Sequence, residues 1–105
     1  MPFVIQFCGA YAVPRVLCDH CGEEIKTAAD GNYQWSHADG CEEGQTAPMY
    51  FTHKACRRAF EKSSADPLAW GAIGLEALPY YLMHNLKVSW RQAQASAYLM
   101  AGIAP

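Results

Sequence analysis

Charge is scarce in this sequence of 105 residues, and neither sign dominates. Charged residues make up 17% of the chain, eight Lys and Arg against ten Asp and Glu, for a formal net charge of −2. That balance excludes an overall pull toward nucleic acid or an anionic membrane surface. Long hydrophobic runs are also missing. Gly, Pro, His or a charged residue interrupts every candidate well before the roughly 20 apolar residues that a membrane-spanning helix needs. The opening stretch MPFVIQFCGAYAVPRVL has no basic segment ahead of its apolar run. It therefore reads against a secretory signal, although Gly9-Ala10-Tyr11-Ala12 imitates a small-residue cleavage site. There are no internal repeats and no low-complexity tract. Enzyme signatures are missing too: there is no Ser/His/Asp arrangement, no phosphate-cradling glycine loop and no carboxylate pair spaced for acid–base work. No catalytic residue is assigned, and the chain is not expected to be an enzyme.

Half of the residues are apolar (51%), enough for one modest core, so residues 1–105 read as a single domain. Five cysteines is an odd number for a disulfide framework, and three of them stand in metal-type spacing. Cys18-x-x-Cys21 lies in CDHCGEE, a polar loop closed by Gly22. His53-x-x-Cys56 lies in THKACRRAFEK, which reads as the opening of a helix. Two thiols on a tight turn facing a His and a Cys one helical turn apart make a tetrahedral set of three sulfurs and one nitrogen, which suits one structural zinc ion. Thiolate ligands argue for a reducing compartment, so the expected location is the cytoplasm. Cys8 and Cys41 are left over, Cys8 as a small buried residue and Cys41 as an exposed thiol. His20 lies inside the first couple and points away if both flanking cysteines bind. His37 and Cys41 replace His53 only if the intervening hairpin folds back.

The elements around these couples follow from pattern. Residues 3–7 (FVIQF) fit a strand, with Pro14 separating it from the turn at 18–24. Residues 32–36 (NYQWS) alternate and carry aromatics, the Gly- and acid-rich stretch 37–47 is a loop, and 49–51 (MYF) is the returning strand. From Lys54 the pattern is helical until Ser63-Ser64. Asp66-Pro67 signals a restart, followed by a short turn at 67–73 and a helix over 77–85 with Pro79 in its first turn. Residues 85–88 connect to a last helix over about 90–101, capped by Ser89 and stopped by Gly102.

A CxxCG turn, a hairpin, and a helix whose first turn supplies the second ligand couple resemble the treble-clef zinc finger. CDHCG and HKACRRAF match best a LIM-type or GATA-type half-site, over residues 18–62. The resemblance implies Cys18 and Cys21 as turn ligands and His53 and Cys56 as helix ligands. The linker between the couples is longer than in a typical LIM half-site, and there is no second ligand set. The fold class expected is a small α+β zinc-binding domain: a treble-clef finger followed by a helical extension over 66–102. In that extension a helical hairpin packs on the finger through Trp70, Leu75, Leu78, Tyr81, Leu82, Leu86, Val88, Ala93, Ala97 and Leu99.

The only basic cluster is Lys54, Arg58 and Lys62 at four-residue spacing, with Arg57 beside them. It reads as a solvated helix face or as a phosphate contact, the latter because GATA-like fingers present this helix to DNA. The C-terminal segment has some helix-turn-helix character, with Arg91 at the start of its second helix, but Lys87 stands where a turn glycine is usual. The leading expectation is a non-enzymatic module that binds another protein as an adaptor or regulator. The alternative is a DNA-binding transcriptional regulator using the basic zinc-finger helix. A zinc- or redox-responsive switch using Cys41 is a third reading, and Ala93, Ala95 and Ala97 permit a homodimer by close helix contact.

Overall fold

The computed structural model describes residues 2–37, 42–64 and 69–98. The expected helix start at Asp66-Pro67, Cys41, Leu99 and the end of the last expected helix lie outside the described residues. Among the described residues, five strands and three short α-helices follow in chain order: β1 (Phe3–Cys8), β2 (Tyr11–Val16), β3 (Gly31–Ser36), β4 (Tyr50–His53), α1 (Arg57–Lys62), β5 (Trp70–Gly74), α2 (Leu78–Asn85) and α3 (Trp90–Ser96). The result is a small mixed α+β structure. β1 and β2 form an antiparallel hairpin, and a separate three-stranded antiparallel sheet has the order β4-β3-β5.

Two strands sit where the sequence suggested interruptions. β2 contains Pro14, read above as a separator. It pairs along its whole length with β1, from Phe3 opposite Val16 to Cys8 opposite Tyr11. Pro14 is tolerated because β2 is paired to a strand on one side only, and its ring nitrogen falls on the other side. β5 occupies residues 70–73 of the expected turn, whose first two residues lie outside the described residues, and is in register with β3, Trp35 opposite Gly71 and Asn32 opposite Gly74. Gly71 looks like a helix breaker in the sequence, but here it makes room for a side chain. A Cβ at this position would lie 2.5 Å from Cζ2 of the Trp35 indole, so only glycine lets that ring lie across β5. The returning strand also starts one residue later than expected and extends through His53.

The two faces of the sheet differ in chemistry. One carries Tyr33 and Phe51, which pack with Cys18, Ile25 and Leu75 into the buried apolar cluster. The other receives α1 through an aromatic group, Tyr50, Phe60 and Trp70, with ring centroids 5.3–5.7 Å apart. Beside it runs a buried polar chain. Thr52 Oγ1 donates to Gln34 Oε1 at 2.5 Å, Gln34 Nε2 donates to Glu61 Oε2 at 3.3 Å, and Arg57 Nε donates to the same Glu61 oxygen at 2.9 Å. Gln34 and Thr52 are fully buried. These bonds satisfy groups whose burial unpaired costs about 1–3 kcal/mol each. They hold α1, and with it the end of β4, at a fixed height over the sheet.

The C-terminal helices depart from expectation. Leu75 is buried and Trp70, Leu78, Ala93 and Ala97 are half-buried, but Tyr81, Leu82, Leu86 and Val88 are exposed. Of the expected packing residues, Leu75 and Leu78 join the apolar cluster and Trp70 packs on Tyr50 and Phe60, whereas Tyr81, Leu82, Leu86 and Val88 cover nothing among the described residues. The apolar residues of α2 (Leu78, Tyr80, Tyr81, Leu82, Met83) run around the helix rather than down one side, so no single stripe can be covered. The α2–α3 connection matches the sequence reading more closely. Lys87 takes the left-handed conformation (φ 55°) usual for glycine, and the Ser89 hydroxyl accepts from the Gln92 N–H at 3.4 Å as the cap of α3.

The Trp35–Gly71 contact gives a direct test. Gly71→Ala forces a methyl into a rigid indole and is expected to destabilise the protein by about 1–3 kcal/mol, read as a lower urea midpoint. Combining it with Trp35→Leu is expected to recover part of that loss, because the two substitutions share one contact. Additive losses would show that the glycine is not there for the ring.

Candidate metal centre

The first ligand couple is shaped by a tight loop. Leu17 and Glu24 close its base as an isolated antiparallel bridge. The Cys18 N–H donates to the Glu23 carbonyl at 2.8 Å, and the Gly22 N–H donates to the Cys18 carbonyl at 2.9 Å. Gly22 has φ of 78°, a left-handed turn that glycine adopts without steric penalty. This loop is then locked against β4 by Asp19. Its N–H donates to the Phe51 carbonyl at 2.7 Å, and its Oδ2 accepts from the Phe51 N–H at 2.8 Å. The clamp sets Cys18, 2% exposed, beside the end of β4.

The second couple arrives where β4 passes into α1. His53 ends the strand, with an extended backbone that starts a 3-10 turn over Lys54–Cys56, and Cys56 leads into α1. The His53 ring is oriented by a backbone group: Nε2 lies 3.0 Å from the Glu24 carbonyl oxygen. A carbonyl only accepts, so Nε2 carries the proton and Nδ1 is left with a free lone pair. That Nδ1 lies 3.4 Å from Cys21 Sγ and 4.0 Å from Cys56 Sγ. The ligand atoms of Cys18, Cys21, His53 and Cys56 all fall within 4.8 Å of one another. A tetrahedral ion with metal–sulfur bonds of about 2.3 Å and a metal–nitrogen bond of about 2.0 Å needs S···S near 3.8 Å and N···S near 3.5 Å. The two Nδ1···Sγ distances bracket the second value, and no pair of ligand atoms is more than 4.8 Å apart, so the four residues fit a metal ion.

The electrostatics are uneven across the cluster. Burial opposes ionisation of Cys18, but hydrogen bonds from the backbone N–H groups of Cys21, His53 and His20 outweigh it and bring the thiol down to about 6. Two of those donors, His20 and His53, lie 3.4 Å from the sulfur. Cys56 moves the other way, pushed up to about 11 by burial and then by the hydrogen bond and charge of Cys18. Burial lowers the His53 pKa, but hydrogen bonds to Cys18 and to the Glu24 carbonyl outweigh this and raise it. One thiolate is thus preformed at neutral pH, while Cys56 gives up its proton only to a cation.

No protein-family model matches the chain. Neither a curated protein nor a solved structure matches it. The site therefore rests on its own geometry.

The remaining sequence candidates fall elsewhere. His20 is exposed, and His37 meets Trp35 edge-on at 6.1 Å. With Tyr33, Glu42 and Met49, these two residues line a separate cleft of about 510 Å³. Cys8 is half-buried near the turn of the β1–β2 hairpin. The basic residues do not act as one patch. Lys54 pairs with Glu76 at 3.8 Å and Arg57 with Glu61 at 2.9 Å. Arg58, Lys62 and Arg91 are exposed, Arg91 on α3 rather than beside the other two. Asp19 and Glu24 were not singled out in the sequence. Asp19 lies inside the ligand couple, where an acid able to accept from a neighbouring strand was the available signal. The Glu24 contribution comes from its backbone carbonyl, which has no sequence signal.

Two outcomes follow for the cluster. Cys18→Ser and Cys56→Ser are expected to lose stoichiometric bound metal, measured by elemental analysis after gel filtration, whereas Cys41→Ser retains it. Because Cys56 is protonated at neutral pH in the metal-free protein, metal binding releases protons and the apparent affinity rises with pH. The fall toward acid steepens below about 6, where Cys18 also holds a proton in the free protein. A competition titration that shows no pH dependence would contradict this assignment.

Proposed function

We propose that Cys18, Cys21, His53 and Cys56 hold one structural zinc ion in a treble-clef arrangement over residues 18–62, and that the chain is a non-enzymatic module binding another protein as an adaptor or regulator. The observation that carries the metal reading is the convergence of three sulfurs and one imidazole nitrogen within 4.8 Å. Soft thiolate donors with one imidazole in tetrahedral reach favour zinc over harder divalent ions. Four protein donors fill the coordination shell, which leaves no position for a reacting water or substrate. The order of loop, β3–β4 hairpin and α1 supports the treble-clef reading.

Partner binding is supported by surface chemistry. Tyr80 is 70% exposed, Leu86 70% and Trp90 67%. Such aromatic and aliphatic side chains are enriched at protein interfaces. Against them, Lys54 and Arg57 already have acidic partners, so few phosphates could be neutralised by α1. The nucleic-acid reading keeps one supporting observation: Arg58 and Lys62 lie exposed one turn apart on α1, and among the described residues they make no ion pair.

Titration of the zinc-loaded protein against labelled random duplex and single-stranded DNA at two salt concentrations separates the readings. The adaptor reading expects no binding at low salt. Micromolar binding that collapses as salt rises would mark phosphate contacts and overturn it. Arg58→Ala and Lys62→Ala would then be expected to flatten the salt dependence.

A further inference from the structure

The β1–β2 hairpin leaves one face uncovered and one edge open. Phe3, Ile5 and Phe7 lie opposite Val16, Pro14 and Ala12, and opposed residues in an antiparallel pair project to the same side. That face is entirely apolar. Among the described residues only its base is covered, where the Phe3 ring meets Phe51 edge-on at 4.8 Å. Even so, Phe3 is 52% exposed, Ile5 55% and Phe7 81%.

The phase of the ladder decides which backbone groups are free. The Leu17 N–H donates to the Pro2 carbonyl, and Cys8 and Tyr11 flank the two-residue turn. Hydrogen-bonded and non-hydrogen-bonded pairs alternate along an antiparallel ladder, so Phe3, Ile5 and Phe7 turn their N–H and C=O groups outward. Among the described residues, these groups have no backbone partner. The β2 edge differs. The outward Val16 carbonyl accepts from the Ile25 N–H at 2.8 Å, and Pro14 has no N–H to offer. β1 carries no charge, no proline and no bulge, the usual devices that blunt an edge.

We propose that β1 pairs antiparallel with β1 of a second copy of this chain, giving a two-fold dimer with a four-stranded sheet of order β2-β1-β1-β2. Pairing centred on Ile5 sets it against Ile5 of the second copy, Phe3 against Phe7 and Phe7 against Phe3. This register satisfies every outward N–H and C=O of the three residues and joins the two apolar faces into one. A second copy fits better than a foreign strand. The apolar residues are symmetric about Ile5, as a two-fold axis requires, and an uncharged strand meets itself without like-charge repulsion. Edge pairing brings the flanks of Phe3, Ile5 and Phe7 against their counterparts across the axis, and the backbone hydrogen bonds of this register hold the two strands together. A two-stranded hairpin is marginal alone, and the pairing removes that weakness. The dimer does not depend on which metal fills the cluster.

Sedimentation velocity of the full, metal-loaded chain from low-micromolar to submillimolar concentration tests this. The wild type is expected to be a dimer. Ile5→Pro removes an outward N–H that the intramolecular ladder does not use. Ile5→Lys sets two like charges across the axis. Each is expected to raise the dimer dissociation constant at least about a hundredfold, with metal content and far-UV circular dichroism unchanged. Should Ile5→Pro fail to fold, Ile5→Lys decides alone. Trp90→Lys, on α3, is expected to leave the dimer intact. A monomeric wild type, a dimer that survives both Ile5 substitutions, or a dimer dissociated by Trp90→Lys instead would each overturn the proposal.

Discussion

The structure depends on one docking: the Cys18–Cys21 loop against the end of β4. The two segments are far apart in sequence, and two bonds between Asp19 and the Phe51 backbone bring them into contact. From there the Cys18 sulfur receives the His53 N–H, and the His53 ring reaches back to the Glu24 carbonyl. The last two bonds fix Cys18 and His53, one ligand from each couple. The cluster is therefore a consequence of backbone geometry and does not need mobile side chains to find one another.

Little else in the chain is as strongly determined. Among the described residues the buried apolar cluster has five members, and the other side of the sheet is held by a polar chain through Gln34 and an aromatic trio. Hydrogen bonds of that kind contribute only about 0.5–1.5 kcal/mol each on balance. A metal ion held by such a cluster contributes on the order of 10–16 kcal/mol, comparable to the 5–15 kcal/mol stability of an entire domain. Metal binding is thus expected to raise the stability of the fold by an amount comparable to its own. The low pKa of Cys18 helps here, because one charged ligand is ready before the ion arrives.

The sequence reveals local features better than long-range ones. The spacing of Cys18, Cys21, His53 and Cys56 anticipates their meeting, and β1, β3, α2 and the Ser89 cap follow from pattern alone. β2 was hidden by Pro14, which normally breaks a strand, and β5 by Gly71, which reads as part of a turn. Pro14 is harmless because only one side of β2 is paired to a strand. Gly71 is needed because Trp35, distant in sequence, lies across it. The exposure of Tyr81, Leu82 and Leu86 was equally hidden. Apolar composition signals burial, but only tertiary structure shows whether a surface is there to cover them. The Asp19 clamp depends on the distant Phe51, which no local motif marks.

The apolar surface left over, on the β1 edge and along α2 and α3, is where the chain has the means to meet other molecules. Those contacts matter only if the cluster is a closed metal centre that holds the rest in place. X-ray absorption spectroscopy at the zinc edge of the loaded protein tests that most directly. A closed site gives three sulfur neighbours at about 2.3 Å and one nitrogen at about 2.0 Å. A shell with fewer sulfurs, with oxygen neighbours, or with more than four ligands would contradict it.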